Sequence, residues 1–205
     1  MTTHVGACFW GYNQPGCFLW AQILDSGRVY VKADYKFAHR TIEDVAVEIQ
    51  AKTARMGVTL GSIYAGEGMF PPVTETEARR AETPAQVFGR AGLRLTKIVI
   101  QPDHAWQRVH DFLRLAPDGK PWLVIHPDCQ WLIRTLPTLV QTKTNPDDCE
   151  GEDYAAKALR ILLSSRVTPT ATPTVSTRPP AYLTLGWFKS LDKPVGRGPL
   201  RVHYG

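Results

Sequence analysis

The side chains best placed to do chemistry gather near residue 150. Asp147, Asp148, Glu150, Glu152 and Asp153 crowd around the start of residues 152–163, which read as a helix. Negative charge there suits the positive end of a helix. Within the helix Asp153, Lys157, Arg160 and Ser164 recur at i, i+4, i+7 and i+11 and share one face. Ala155, Leu159, Leu162 and Leu163 form an apolar stripe on another face. The plain reading is an amphipathic helix with a solvated, ion-paired face.

A second concentration of charge lies at the C-terminus. Residues 166–205 carry Arg166, Arg178, Lys189, Lys193, Arg197 and Arg201 against Asp192 alone, so the whole formal net charge of +5 sits there. Residues 1–165 are balanced. Such a tail can bind a phosphate backbone or an acidic protein surface, or serve as a solubilising extension. Other site chemistry is not expected. Cys8, Cys17, Cys129 and Cys149 form no CxxC pair, so reduced thiols are expected and a zinc site is not. His4, His39, His104, His110, His126 and His203 show no HxxxH or HxH spacing and read as surface or core residues. Trp10, Trp20, Trp106, Trp122 and Trp131 read as core rather than as a base-stacking platform. No GxxxxGK[ST] loop occurs, so no nucleotide is expected and the chain is not expected to be an ATP-driven motor.

The elements that must position these groups follow from periodicity and turn chemistry. The chain has 205 residues, 43% hydrophobic and 21% charged, enough for one domain with a sizeable core plus a tail. No apolar run approaches the length of a membrane span, and no signal peptide precedes the first strand, so neither membrane insertion nor secretion is expected. Residues 5–12, 17–24 and 28–37 read as three strands joined by Asn13-Gln14-Pro15-Gly16 and Asp25-Ser26-Gly27, an antiparallel meander. In the third, Val29, Val31, Ala33 and Tyr35 alternate with Tyr30, Lys32 and Asp34. Thr41 opens a helix to about Met56, with Ile42, Val45, Ala46 and Ile49 inward and Gly57 as its stop. The strand over 58–65 follows a helical crossover and should run parallel to one of the first three. After a polar excursion over 66–82, Thr83-Pro84 caps a helix to Ala91, and 95–100 is strand-like. Residues 104–115 form a helix with Trp106, Val109, Phe112 and Leu113 inward. Residues 122–126 form a strand, and Asp128 caps a short helix carrying Trp131, Leu132 and Leu136. Residues 168–180 are a Thr/Pro-rich linker. The expected fold is α/β, a mixed sheet flanked by helices in RNase H-like order over residues 1–165, with an extended C-terminal tail over 166–205.

Residues 152–161 read E-D-Y-A-A-K-A-L-R-I. This resembles the closing helix of the nuclease domain of phage terminase large subunits, where the usual pattern is close to E-D-H-A-A-D-A-L-R-Y. The resemblance covers roughly residues 6–165. Gly11-Tyr12-Asn13-Gln14-Pro15-Gly16 resembles the family's G-x-D-x-G at the end of the first strand. Asp25-Ser26-Gly27-Arg28-Val29-Tyr30-Val31 resembles its D-x-x-G-x-x-Y-V hairpin, with a turn one residue shorter. Ile63-Tyr64-Ala65-Gly66-Glu67 stands where the family has a strand ending Y-x-D-P. Gly92, residues 106–115, Asp118-Gly119-Lys120-Pro121 and residues 129–137 are similar to one branch of it, and Asn145-Pro146-Asp147-Asp148 leads into the last helix as the family's pattern does.

The resemblance implies an RNase H-like fold and, in the family, metal-assisted cleavage of DNA. Carboxylates from the first strand, the fourth strand and the last helix there converge on Mg²⁺ or Mn²⁺. At the matched positions this chain has Asn13, Gly66 and Lys157. Asn13 brings no charge, Gly66 brings no ligand and Lys157 brings a positive charge. The expectation is a protein related to the nuclease domain but catalytically inactive, with no metal and no other cofactor. It would act by binding in phage DNA packaging or virion assembly, in the host cytoplasm or the virion. DNA, a portal protein or an ATPase subunit are the partners this implies, and Arg178, Lys189, Lys193, Arg197 and Arg201 are the tail's binding residues. The alternatives are an active Mg²⁺- or Mn²⁺-dependent endonuclease with a site rebuilt from Asp34, Glu67 and Asp153, and a structural protein of the particle. Against rebuilding, Glu67 would point away if the strand continued through it. In the inactive reading Lys157 should reach into the old site and pair with at least one carboxylate there, Asp34, Glu67 or Asp153 being the candidates; the plain alternative is a Lys157 on the helix surface paired at most with Asp153 at i−4.

Overall fold

In the computed structural model of this chain, residues 2–70, 82–142 and 149–166 are described. The linker and basic tail, Asp147 and Asp148, and much of the polar excursion lie outside them. The three N-terminal strands form as the turn chemistry dictates: β1 (Thr3–Phe9), β2 (Gly16–Ile23) and β3 (Val29–Phe37), paired antiparallel in order. Helix α1 (Ile42–Arg55) starts where the Thr41 hydroxyl accepts from the Asp44 amide at 3.2 Å, and acids in its first turn and bases in its last suit its dipole. It crosses over to β4 (Ser62–Gly66), which lies parallel to β1, as a helical crossover requires. Helix α2 (Pro84–Arg90) has a full capping box between Thr83 and Gln86, and β5 (Leu95–Ile98) adds a parallel outer strand beside β4.

The remaining elements complete the sheet and supply the helices of its other face. They are α3 (Pro102–Leu113), β6 (Leu123–Ile125), α4 (Gln130–Thr135), the pair β7 (Val140–Gln141) and β8 (Cys149–Glu150), and α5 (Tyr154–Ser164). The main sheet runs β5-β4-β1-β2-β3-β6, with β6 parallel to β3. One face packs α1 and α2 over Phe18, Trp20, Val45, Ile49 and Phe88. The other packs α3, α4 and α5 over Leu19, Val31, Phe112, Leu132 and Leu159. This is a mixed six-stranded sheet with helices on both sides, the α/β architecture expected. Among the described residues no helix is long and apolar enough to cross a membrane.

Several details differ from the sequence reading. The pairing shifts between Trp20 and Ala21, which face Ala33 and Val31, so Lys32 is an extra residue, a bulge. Simple alternation across β3 therefore fails. Val29 and Val31 face α5, while Ala33, Tyr35 and Phe37 face α1. Helix α5 is not an amphipathic surface helix: from Tyr154 to Leu163 every residue except Lys157 is buried. Leu113, expected inward, is 50% exposed because α3 ends there. Asp128 does not cap α4, whose N-cap position is Cys129 with no side-chain bond.

The four cysteines form no disulfide, and Cys8, Cys17 and Cys129 are buried while Cys149 is not. Burial pushes the Cys8 and Cys129 thiols up to about 12 and raises Cys17 as well. Only the thiolate reacts with disulfide reagents. In native buffer an aromatic disulfide reagent should therefore titrate Cys149 quickly, and the other three only after unfolding. Rapid native reaction of a second thiol would contradict this packing.

Candidate functional site

The strands β1, β3, β4, β5 and β6 all run the same way, so their carboxyl ends share one edge of the sheet, the usual ligand edge of an α/β fold. Cys8 pairs with Ala65 in the β1–β4 register, which brings Phe9 and Gly66 abreast at this edge. Helix α5 packs across β1, β2 and β4, and Lys157 in its first turn projects here. A cleft of about 260 Å³ opens between Gly66, Glu67, Ile100, Lys157, Arg160 and Ile161, with Phe9 in its wall. Beyond Phe9 and Lys157 a second cleft, about 450 Å³, is lined by Gln14, Pro15, Cys149, Glu152 and Tyr154.

Gly66 and Lys157 are thus brought together, but Asn13 is not. It lies exposed in the bend after β1 and lines neither cleft. Phe9 fills the place at the end of β1 beside Lys157, its ring centroid 5.2 Å from the Lys157 ammonium. A Cβ built on Gly66 would sit 3.6 Å from Ile161 Cδ1 and 4.0 Å from Ile100 Cδ1, so the space where an acid would enter is walled by aliphatic groups.

The three acids are held apart by separate partners. Asp34, 5% exposed, accepts from the Leu132 amide at 2.8 Å through Oδ2. It supplies from β3 the cap that α4 lacks. Burial raises its pKa, an effect opposed by the nearby Leu132 and Trp131 amides and by Lys52. Glu67 pairs with Lys97 at 3.2 Å at the mouth of the cleft. β4 stops at Gly66 and a single 3₁₀ turn begins at Glu67, so the strand does not continue through Glu67, which lines the same cleft as Lys157. Asp153 pairs with Lys157 at 2.9 Å, one turn along the helix. The expected reach of Lys157 to Asp34 or Glu67 does not occur: among the described residues its ion-pair partner is Asp153. Such an i, i+4 pair contributes only about 0.3–0.5 kcal/mol.

A further cluster had no signal in the sequence. The Lys36 ammonium lies 4.3 Å from the Trp131 ring and 4.7 Å from the Tyr154 ring, and 3.6 Å from Glu152 Oε1. Tyr154 donates to Glu152 Oε2 at 2.9 Å, and Arg134 pairs with the same carboxylate while stacking on Trp131. The Tyr154 hydrogen bond first, then Lys36 and Arg134, hold the Glu152 carboxyl below its ordinary range. This ties β3, α4 and the start of α5 together. Glu152 and Tyr154 stand close in sequence, but nothing there links them to Lys36.

A divalent ion needs several carboxylate oxygens in one place. This cleft offers Lys157, Arg160 and one paired acid, Glu67, and so does not fit one. Among the described residues no three His, Cys, Asp or Glu side chains gather at metal-binding distance.

No protein-family profile matches the chain, and no curated protein matches it. Solved structures do. The large terminase nuclease of the thermophilic phage G20c is similar over 81% of this chain and 83% of its own, at 12% identity and a TM-score of 0.55. The nuclease domain of the bacteriophage SPP1 large terminase, solved with bound Mn, is similar over 78% and 84%, at 14% identity and a TM-score of 0.50. The large terminase of a further thermophilic bacteriophage is similar over 80% of this chain but only 39% of its own, at 11% identity and a TM-score of 0.59. The chain therefore has the RNase H-like fold of terminase nuclease domains, and it spans well under half the length of that large terminase.

Proposed function

We propose that this chain is a non-cleaving relative of the terminase nuclease domain that binds DNA in phage DNA packaging or virion assembly. One observation carries the reading. Where the ends of β1 and β4 meet the start of α5, the cleft holds Phe9, Gly66, Ile161 and a lysine already paired with Asp153. Metal-assisted hydrolysis needs carboxylates there to hold the ions that activate water and steady the leaving oxygen. Asp34, Glu67 and Asp153 do not replace them, because each is engaged elsewhere and Asp34 is committed to the α4 backbone.

Residues 1–165 form the binding domain in this reading, and residues 166–205 add electrostatic grip through Arg178, Lys189, Lys193, Arg197 and Arg201. A portal protein and an ATPase subunit are the protein partners it implies. The test is binding of a fluorescent DNA duplex in EDTA. Affinity should be the same with and without Mg²⁺, and should fall steeply with salt as counterions are released. Deleting residues 168–205 should weaken binding and flatten the salt slope, by about 0.9 for each phosphate no longer neutralised. Binding abolished by EDTA, or no binding at low salt, would overturn the reading. Equal salt slopes with and without the tail would remove the tail from it.

A further inference from the structure

The main sheet ends at β5, and among the described residues no strand lies beyond it. A strand carries backbone donors and acceptors on both sides, and only the inner side of β5 is taken, by β4. Exposed edges are usually blunted by a proline, a bulge or a charge. β5 has no proline and pairs with β4 in unbroken register, and its one charge, Lys97, is drawn off to Glu67 at 3.2 Å. Val99, just past its end, is 63% exposed. Beside this edge a groove of about 530 Å³ runs between β5 and α2, with Phe70, Ala85, Gly89, Arg94 and Leu95 in its walls. Gly89 lies inside α2, where glycine weakens a helix relative to alanine. A Cβ built there would meet no atom within 4 Å, so no packing among the described residues requires it, and its effect is to keep that wall of the groove low. Arg94 is exposed at the start of β5, and no described side chain pairs with it. Glu43, Glu67 and Glu82, the acids on this side, already have Arg90 or Lys97 as partners.

We propose that β5 and this groove take an extended segment of a partner protein as an added strand, with a carboxylate on Arg94. Main-chain hydrogen bonds to β5 hold the segment, and every second side chain, small and apolar, enters the groove over Gly89 and Leu95. Antiparallel pairing, the commoner kind, sets the acid at the segment's C-terminal end, beside the start of β5. A second copy of this chain is the poorer occupant. Residues 92–101 hold Arg94 and Lys97 and no acid, so its own β5 offers Arg94 no counter-charge. The strand site stands whether or not the chain binds DNA.

The experiment follows amide hydrogen exchange in the ¹⁵N-labelled 205-residue chain with two peptides. Each has about six alternating Val and Thr residues, blocked at both ends, and finishes in Glu or in Lys. In the free chain the outward amides of β5 should exchange fast. The saturating Glu peptide should slow exchange within residues 95–99 by about tenfold or more, as the new ladder forms. The Lys peptide should bind at least about threefold more weakly, and Arg94→Glu should reverse that preference. Gly89→Leu should leave the fold intact, because a Cβ there meets nothing and leucine suits a helix better than glycine. It should nonetheless weaken the Glu peptide by about tenfold or more, by filling the groove. No slowing at β5, or equal affinity for the two peptides, would overturn the proposal. So would β5 amides already slow in the free chain, which would mean that the edge is taken within the chain. Slowing that grows with protein concentration in the absence of peptide would give the edge to a second copy and reject the partner strand.

Discussion

Leu159→Ala should be the most damaging of the simple truncations in α5, lowering stability by about 2–5 kcal/mol. Leu159 is fully buried against Leu19 and Leu132 in the core beneath α5. The helix around it is enclosed on nearly every side, with Ala155, Ala156 and Ala158 also inside, so little can move in to close the cavity. The far end is pinned as well: Arg108 donates to the carbonyls of Ser164 and Arg166, and Arg166 donates to the Tyr64 hydroxyl. Urea unfolding is the check. The midpoint should fall while the denaturant slope stays the same, the mark of a pure stability change. A loss below about 1 kcal/mol, the range of a surface substitution, would contradict an enclosed α5.

Asp34→Ala should cost about 1–3 kcal/mol, because it leaves the buried Leu132 amide without its acceptor. The effect should be local, loosening α4 before the rest, and hydrogen exchange at Leu132 should rise first. The pH dependence has a definite sign. Burial raises the folded pKa of Asp34 above its unfolded value, so the folded state holds the proton more tightly. Its contribution is therefore fully present below the unfolded carboxylate pKa, about 3.9, and is lost as pH rises through the folded value. Asp34→Asn should remove that part of the slope. Wild type and Asp34→Asn with parallel stability–pH curves across this window would show that Asp34 is not the group responsible.

Most of the fold was legible because local signals agreed. The turn at Asp25-Ser26-Gly27, the Thr41 and Thr83 caps and the stop at Gly57 each mark a real boundary. The rest depends on packing between residues far apart in the chain. The bulge at Lys32 reverses the phase of β3 and turns Asp34 toward α4, and no pattern within β3 announces it. Arg160 reads as surface by its charge but is buried, with its guanidinium over the Trp106 ring. The same holds at the site. The motif pointed to Asn13, which the chain carries out into the turn, whereas Phe9, an ordinary strand residue by type, stands beside Lys157. Gly66 and Lys157 were picked out by the resemblance, and they meet at one cleft because Gly66 ends β4 and Lys157 lies near the start of α5.

The most direct test of the central claim is cleavage of supercoiled plasmid by the 205-residue chain with Mn²⁺, the less demanding of the two ions. The plasmid should remain supercoiled at protein concentrations that shift it completely on a gel, with either Mn²⁺ or EDTA present. Mn²⁺-dependent nicking that disappears on Glu67→Gln or Asp153→Asn would contradict the account, by showing that these acids form a working metal site beside Lys157.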